Sequence, residues 1–184
     1  MLDIVVFGRA AGNHIIDYLR EHHYHRPMNT DSVDFAIQRL ARWDQRGDGE
    51  SVDALRDELQ REMENHCGVF RTAEVLQEGV AKIKQIEQRL KDARIKDHSQ
   101  VFNTARIEAM ELENMVDLAL ATIVSAEARE ESRGAHSRVD FQDRDDVHWM
   151  KHSLYSKEGY KLDYKPVRTK PLSVEAFPPK KRVY

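Results

Sequence analysis

Apolar residues recur at helical spacing along most of the chain, beginning with the opening stretch LDIVVFGRAAGNHIIDYLRE. One helical face of this stretch carries only apolar or small residues, namely Ile4, Val5, Gly8, Ala11, Gly12, Ile15 and Leu19. Leu2, Val6 and Phe7 point to the other side, so the first two turns have almost no face suited to water. Because a helix that is apolar all round is normally buried, we predict a buried helix over residues 2–21 that ends before Pro27.

The same periodicity predicts a second, third and fourth helix, each starting near a polar residue that can cap it. The second begins within residues 30–32, and Ser51 caps the third after a loop that contains two glycines. The fourth covers residues 72–93, with apolar residues along one stripe and Lys, Gln and Glu opposite. Gly79 lies inside it and indicates a close packing contact, since glycine costs about 1 kcal/mol relative to alanine in a helix.

A fifth helix is predicted after Asn103 or Thr104, either of which can serve as its N-cap. It is amphipathic to about Asn114 and then almost wholly apolar or small from Met115 to Ala126. Its second half is therefore predicted to be the buried centre of a helical bundle.

The helical periodicity ends near Ser132. The stretch SRGAHSRVDFQDRDDVHW is polar and aperiodic, which predicts an ordered polar loop. Alternating apolar and polar residues in WMKHSLYS and YKLDYKPV, separated by KEG, predict a two-stranded hairpin before a proline-rich tail. The predicted fold is mainly α, with a bundle of about three long helices, shorter helices, a small C-terminal β-hairpin and an extended tail; the predicted domains are residues 1–24, 25–130 and 131–184.

Composition narrows the class of protein. Charged residues make up 33% of the chain, the net charge is only -3, and the basic tail is more typical of a solvated end than of a nucleic-acid site. Cys67 is the only cysteine, so no internal disulfide can form. No apolar run approaches the length of about 18 residues that a membrane span needs. We therefore expect a soluble chain that binds no nucleic acid.

Two short patterns are weak candidates for ligand sites. Gly8 and Gly12 do not follow a strand, so they predict a close helix-packing face and not the phosphate turn of a dinucleotide fold. His22, His23 and His25 lack a spaced set of carboxylates or cysteines, so a role at the negative end of the helix dipole is favoured over a metal site.

The densest set of charged side chains lies in the polar loop, and comprises Arg129, Arg133, His136, Arg138, Asp140, Asp143, Arg144, Asp145 and Asp146. Alternating arginine and aspartate favours a self-satisfying ion-pair network over a site for an anionic ligand. Ser132 and His136 with an aspartate have no accompanying oxyanion site or nucleophile elbow, so they do not predict a nucleophilic triad. No residue set in the chain forms a complete catalytic site, and no catalytic or metal residue is assigned.

Three stretches carry a resemblance to a known family: LDIVVFGRAAG, the run from Phe102 to Tyr155 that includes ESRGAHSR and DRDDVHWMKHSL, and the ending PPKKRVY. In this order they resemble the C-terminal third of the succinate dehydrogenase and fumarate reductase flavoprotein subunit. The resemblance covers essentially the whole chain. Its hairpin and tail resemble the dehydrogenase and reductase branch more than L-aspartate oxidase, and succinate dehydrogenase is favoured.

The resemblance implies an oxidoreductase that oxidises succinate to fumarate through covalently held FAD and passes electrons to an iron-sulphur subunit and then to quinone. It implies as partners the FAD and capping domains of the parent protein, the iron-sulphur subunit, membrane anchor subunits indirectly, and a flavinylation assembly factor. It also implies a peripheral position on the cytoplasmic face of the inner membrane. The family's flavin-linking and proton-shuttling residues lie in the FAD and capping domains, which precede the matched region.

Only Met1 and Leu2 correspond to family positions beside the cofactor, because the start of this helix abuts the flavin ring in the family. Residues 1–24 would then belong to the FAD-binding domain. The family's substrate-binding arginine precedes this helix, so we expect this chain to be a fragment that binds no FAD and is inactive alone. The resemblance further suggests that Arg133 and His136 lock the polar loop against the FAD domain. A free-standing helical interaction module remains the alternative.

Overall fold

The computed structural model describes residues 2–173 and 175–180. Within these residues there are five α-helices: α1 (Leu2–Glu21), α2 (Thr30–Ala41), α3 (Val52–Cys67), α4 (Ala73–Leu90) and α5 (Thr104–Ala128). Two short strands, β1 (Glu50–Ser51) and β2 (Ala93–Arg94), form a parallel pair beside the start of α3. Two longer strands, β3 (Lys151–Ser156) and β4 (Lys161–Pro166), form an antiparallel hairpin. The mainly α fold with a C-terminal hairpin is confirmed, whereas the β1–β2 pair was not predicted.

Side-chain caps start the three long helices of the bundle. The Ser51 hydroxyl accepts from the Ala54 N–H, the Thr72 hydroxyl from the Val75 N–H, and the Asn103 carbonyl oxygen from the Arg106 N–H. Each bond satisfies one of the backbone donors that the first turn of a helix leaves unpaired. The starts predicted for these helices are therefore confirmed, whereas the fourth helix, predicted to reach residue 93, ends at Leu90 because Ala93 pairs in β2.

The chain divides into two units, residues 1–39 and residues 40–184. In the first unit, α1 has no buried residue, and Leu2, Ile4 and Phe7 are each at least 70% exposed. The burial predicted from its sequence is thus not found within the described residues of this chain. None of the described helices is long and apolar enough to span a membrane.

The second unit has a single core, in which α3, α4 and α5 pack together. Leu55, Ile83, Leu112, Leu120 and Ile123 each have no exposed surface. The second half of α5 is central, as predicted, but the helix keeps an outward stripe on which Leu118 is 67% exposed. The core therefore uses one broad face of α5 along its whole length.

Gly79 lies where α4 closely contacts both α3 and α5. A Cβ atom built on Gly79 would lie 2.4 Å from the Cβ of His66 on α3 and 2.5 Å from the Cδ1 of Ile123 on α5. The close contact predicted for this glycine is confirmed. Gly8 and Gly12 differ, because a Cβ at either position would meet no atom within 4 Å among the described residues. The close-packing role predicted for them is not found among residues 2–173 and 175–180.

We expect Gly79→Ala to destabilise the second unit by about 1–3 kcal/mol, because α3 or α5 must shift to admit the methyl group. Gly8→Ala is the matched control: it places the same methyl group in open space and is expected to cost nothing, since alanine favours helix over glycine. Urea unfolding of both variants measures the difference. Equal stability of the two variants would contradict the packing role of Gly79.

The histidine cluster lies at the end of α1. His22 stacks on Tyr18 with ring centroids 4.1 Å apart, and its Nδ1 lies 3.0 Å from the Tyr18 carbonyl oxygen. This contact places His22 at the negative end of the helix dipole, where the sequence favoured it.

Candidate functional site

The segment after α5 forms the most highly connected polar site in the described part of the chain, and Arg138 lies at its centre. The side chain of Arg138 is 1% exposed. Its Nη1 donates to the carbonyl oxygens of Glu127 at 2.9 Å and Arg129 at 3.2 Å. The last carbonyls of a helix have no partner within the helix and carry partial negative charge, so a buried guanidinium there stabilises the end of α5.

Asp140 pairs with Arg138 and contacts the start of α4. Its two oxygens accept from Nε and Nη2 of Arg138 at 2.8 and 2.7 Å, and Oδ2 also accepts from the Ala73 N–H at 2.9 Å. The Arg138 hydrogen bonds lower the pKa of Asp140 to about 2, against the opposing effect of burial and with help from the Ala73 N–H. One ion pair thus joins the negative end of α5 to the positive end of α4.

Glu131 anchors a second part of the network and has no exposed side-chain surface. Its Oε1 accepts from Arg129 at 2.6 Å and from Arg133 at 2.8 Å, while Oε2 accepts from Arg133 at 3.0 Å and from the Asp145 N–H at 2.9 Å. Burial raises the pKa of Glu131, but these hydrogen bonds outweigh it and leave the pKa below its ordinary value. The carboxylate is therefore charged and fully partnered.

Arg71 and His136 bring the end of α3 into the same site. Arg71 donates from Nε to the Gly68 carbonyl at 2.8 Å and from Nη2 to the Cys67 carbonyl at 3.1 Å, which caps α3. Its Nη1 lies 2.8 Å from Nδ1 of His136, and Nε2 of His136 lies 3.0 Å from the Arg129 carbonyl oxygen. Because arginine only donates and a carbonyl only accepts, these partners assign His136 as the neutral tautomer with its proton on Nε2.

Arg129 connects the network to the hairpin. Its Nη2 donates to the Lys151 carbonyl at 2.7 Å and to the Ser153 hydroxyl at 3.3 Å, and its Nη1 donates to the Trp149 carbonyl at 3.1 Å. The guanidinium also lies over the Trp149 ring, 5.0 Å from its centroid. The position of β3 therefore depends on the same arginine that Glu131 holds.

The structure places the predicted loop residues in one network but gives them no catalytic arrangement. The Ser132 hydroxyl donates to the Phe141 carbonyl at 2.8 Å and accepts from the Arg138 N–H at 2.8 Å. Both ring nitrogens of His136 have partners, so no base faces Ser132. Arg133 and Arg144 both pair with Asp146, and Asp143 contributes its backbone carbonyl to the Ser132 N–H. The chemistry of the site is ion pairing that holds helix ends.

Two central residues of this network, Glu131 and Arg71, were not identified from the sequence. Glu131 looks like the polar end of α5, and Arg71 stands in a short turn far from the loop in sequence. A cation a few residues beyond the end of α3 was the available signal for Arg71, since such residues can cap helix carbonyls. Nothing in the sequence indicates that Glu131 is buried.

The protonation of His136 predicts a pH dependence. Burial lowers its pKa, and the charges of Arg71, Arg138 and Arg129 lower it further, while the hydrogen bond to the Arg129 carbonyl opposes them. At about pH 6.5 and below, the unfolded chain therefore binds a proton at His136 more readily than the folded chain does. This difference lowers the free energy of unfolding as the pH falls. We expect the loss of stability between pH 7.5 and 5.5 to be smaller in His136→Gln. Urea unfolding at several pH values checks this, and identical pH profiles would contradict it.

Comparison with known proteins identifies the family of the chain. The sequence profile described as fumarate reductase flavoprotein C-term matches residues 56–184. The succinate dehydrogenase flavoprotein subunit of Coxiella burnetii is 44% identical over 99% of this chain and 31% of its own length. The chain belongs to this flavoprotein family. It corresponds to the C-terminal part of the succinate dehydrogenase and fumarate reductase flavoprotein subunits, as the sequence resemblance implied.

Other members of the family agree in fold and extent. The fumarate reductase flavoprotein subunit of a Serratia strain is 38% identical over the whole chain and 31% of its own length. A solved quinol fumarate reductase of E. coli is 34% identical, covers 98% of this chain and 31% of its own, and superposes with a TM-score of 0.84. The chain therefore spans about a third of the length of these flavoprotein relatives.

Proposed function

We propose that this chain is the C-terminal helical part of a larger flavoprotein subunit that oxidises succinate to fumarate, and that it supports assembly of that subunit without being catalytic alone. The observation that carries the proposal is the extent of the match: nearly all of this chain aligns with 31% of the Coxiella subunit. The network of Arg138, Asp140 and Glu131 supports a structural role, because it joins helix ends and presents no free nucleophile or base.

The exposed first helix supports a further part of the proposal. Leu2, Ile4, Val5, Val6 and Phe7 expose between 52% and 76% of their surface. Soluble proteins rarely leave so contiguous an apolar surface uncovered. We assign residues 1–24 to a helix that packs inside the FAD-binding domain of the parent protein, with residues 25–130 as the bundle and 131–184 as the loop, hairpin and tail.

The start of α1 is the part of this chain proposed to approach the cofactor. Bound FAD would accept the two electrons removed from succinate. The first turn offers backbone N–H groups and the positive end of a helix dipole, which fit an electron-rich flavin edge. Asp3 in the same turn limits the negative charge that this end can stabilise. Leu2 would contact the flavin, and Met1, the other predicted contact, lies outside the described residues.

The reaction direction and the partners follow from the same proposal. Identity to the succinate dehydrogenase subunits of Coxiella and Rickettsia is 43–44%, against 35–38% for the fumarate reductase subunits of Serratia and Haemophilus, which supports the dehydrogenase direction. The proposed partners are the FAD and capping domains, an iron-sulphur subunit, membrane anchors through that subunit, and a flavinylation factor. The proposed location is the cytoplasmic face of the inner membrane.

A chimera tests the proposal. The C-terminal third of the Coxiella burnetii subunit is replaced by this chain and expressed with its own iron-sulphur subunit. We expect covalent flavin and succinate-dependent dye reduction in the chimera, and no flavin retained by the isolated 184-residue chain after incubation with FAD and desalting. A folded chimera without either property would contradict the family role. Stoichiometric flavin on the isolated chain would contradict the cofactor part of the proposal.

A further inference from the structure

An open groove runs between the outward face of α5 and strand β3. Its floor is formed by Leu118, Ala121, Thr122 and Ser125 of α5, and its other side by Ser153 and Tyr155 of β3. The volume of the α5–β3 groove is about 460 Å³, and Arg71 and His136 line it as well. The helix thus presents small side chains around one exposed leucine, beside a strand.

Strand β3 pairs with β4 along one edge, and its other edge is only partly hydrogen-bonded. Val167 donates to the Met150 carbonyl at 3.2 Å, so these two residues form a hydrogen-bonded pair at the base of the hairpin. Hydrogen-bonded and non-hydrogen-bonded pairs alternate in an antiparallel ladder. His152, Leu154 and Ser156 therefore bond to β4, while the backbone groups of Lys151, Ser153 and Tyr155 point away from it.

One of these three residues already has partners on the outer edge. The Lys151 carbonyl accepts from Arg129, and its N–H donates to the Trp149 carbonyl. The N–H and carbonyl groups of Ser153 and Tyr155 have no backbone partner within residues 2–173 and 175–180. The edge is therefore open for two residues, both of which line the groove. The Tyr155 hydroxyl is also buried without a hydrogen-bond partner in the described structure.

Arg71 supplies an uncompensated positive charge to the groove. Its three described hydrogen-bond partners are the Gly68 and Cys67 carbonyls and neutral His136. No carboxylate among the described residues lies within 4.0 Å of its guanidinium, whereas Arg129, Arg133, Arg138 and Arg144 each have one. Three of the five N–H donors of Arg71 are accounted for, so two can bind a further acceptor.

We propose that the α5–β3 groove binds an extended acidic segment of a partner polypeptide. The segment pairs with the backbone of Ser153 and Tyr155 as a third strand, lays an apolar side chain on Leu118 and places a carboxylate on Arg71. Strand addition of this kind draws affinity from main-chain hydrogen bonds and specificity from side-chain contacts. A small anion fits less well, because the groove is open and offers it a single uncompensated cation.

A peptide titration tests the proposal on the full 184-residue chain. The probe is an acetylated, amidated hexapeptide of alternating valine and aspartate, and the comparison peptide has asparagine in place of aspartate. We expect amide NMR shifts at Ser153 and Tyr155 and about five- to tenfold tighter binding of the acidic peptide, as one charge-assisted contact provides. Absence of shifts at these two amides, or equal binding of both peptides, would overturn the proposal.

Point variants test which side chains of the groove bind the peptide. Arg71→Gln is expected to abolish the preference for the acidic peptide, and Arg71→Lys to keep it. Leu118→Asp should abolish binding of the acidic peptide, whereas Ile107→Asp should leave it unchanged, because Ile107 is an exposed apolar residue of α5 outside the groove. If loss of the Arg71 cap unfolds the chain, the comparison of Leu118→Asp with Ile107→Asp still tests whether the peptide binds in the groove. Unchanged binding in Leu118→Asp would overturn the proposal.

Discussion

Replacing Arg138 with leucine is expected to lower the free energy of unfolding by about 2–4 kcal/mol, because the buried guanidinium is lost both from the carbonyl groups that end α5 and from the partly exposed Asp140 carboxylate. The variant leaves the Asp140 carboxylate without its two strongest donors. It also leaves the last carbonyls of α5 unpaired in a site where the arginine side chain was 1% exposed. Uncompensated buried polar groups carry most of this cost.

The loop offers a matched control at the same sequence spacing. Arg144 pairs with Asp146 as Arg138 pairs with Asp140, but its side chain is 32% exposed. Arg144→Leu is expected to cost less than about 1 kcal/mol, as exposed ion pairs do. Urea unfolding followed by circular dichroism measures both variants. Similar losses in the two would mean that burial does not set the contribution of these pairs.

The double variant Arg138→Leu with Asp140→Asn separates the ion pair from the helix caps. Removing the charge of Asp140 should restore part of the loss, since the remaining carboxylate would otherwise be unpaired. The amide oxygen of the substituted side chain would still accept from the Ala73 N–H at the start of α4. The cost of Asp140→Asn is measured in the original chain and in Arg138→Leu. Equal costs in the two backgrounds would show that the two side chains act independently.

Local patterns were sufficient to predict the helices and the hairpin. Caps at Ser51 and Asn103 and the alternation in residues 149–156 depend on neighbours within a few positions, which the sequence displays directly. The ion-pair network was also predicted, because arginine and aspartate alternate in one loop. These features are set by short-range chemistry.

Features that depend on distant partners were not predictable in the same way. Gly8 and Gly79 are both helical glycines, and only the tertiary neighbours of Gly79 make its missing side chain necessary. Glu131 and Arg71 acquire their roles from partners that the fold brings together, and no local pattern marks a glutamate at a helix end as fully buried. Helix α1 shows the opposite mismatch. Its sequence predicts burial, but no residue of α1 is buried by the described residues of this chain.

The network also determines which elements move together. Arg138 and Asp140 join α5 to α4, Arg71 and His136 join α3 to the end of α5, and Glu131 holds Arg129 against the hairpin. Loss of one connection should therefore loosen a particular neighbour before the whole unit unfolds. Glu131 is the point at which this can be tested most selectively.

Glu131→Gln is expected to destabilise the second unit by about 2–4 kcal/mol, although the side chain keeps its size. Both carboxylate oxygens face donors only: Arg129 and Arg133 on one side, and Arg133 with the Asp145 N–H on the other. In either orientation the glutamine amide places its NH2 group against donors. The substitution therefore creates a repulsive contact as well as removing a charge.

The hairpin should respond first to this change, because Arg129 links Glu131 to Lys151 and Ser153 of β3. We expect the Leu154 amide, which bonds to β4, to exchange with solvent at least about tenfold faster in Glu131→Gln under native conditions, while the core amide of Ile83 changes only with global stability. Glu130→Gln is the control, since this neighbouring side chain is exposed and does not contact Arg129 in the described network. Unchanged exchange at Leu154 in Glu131→Gln would show that the hairpin is held by its packing on α5 and not by the buried glutamate.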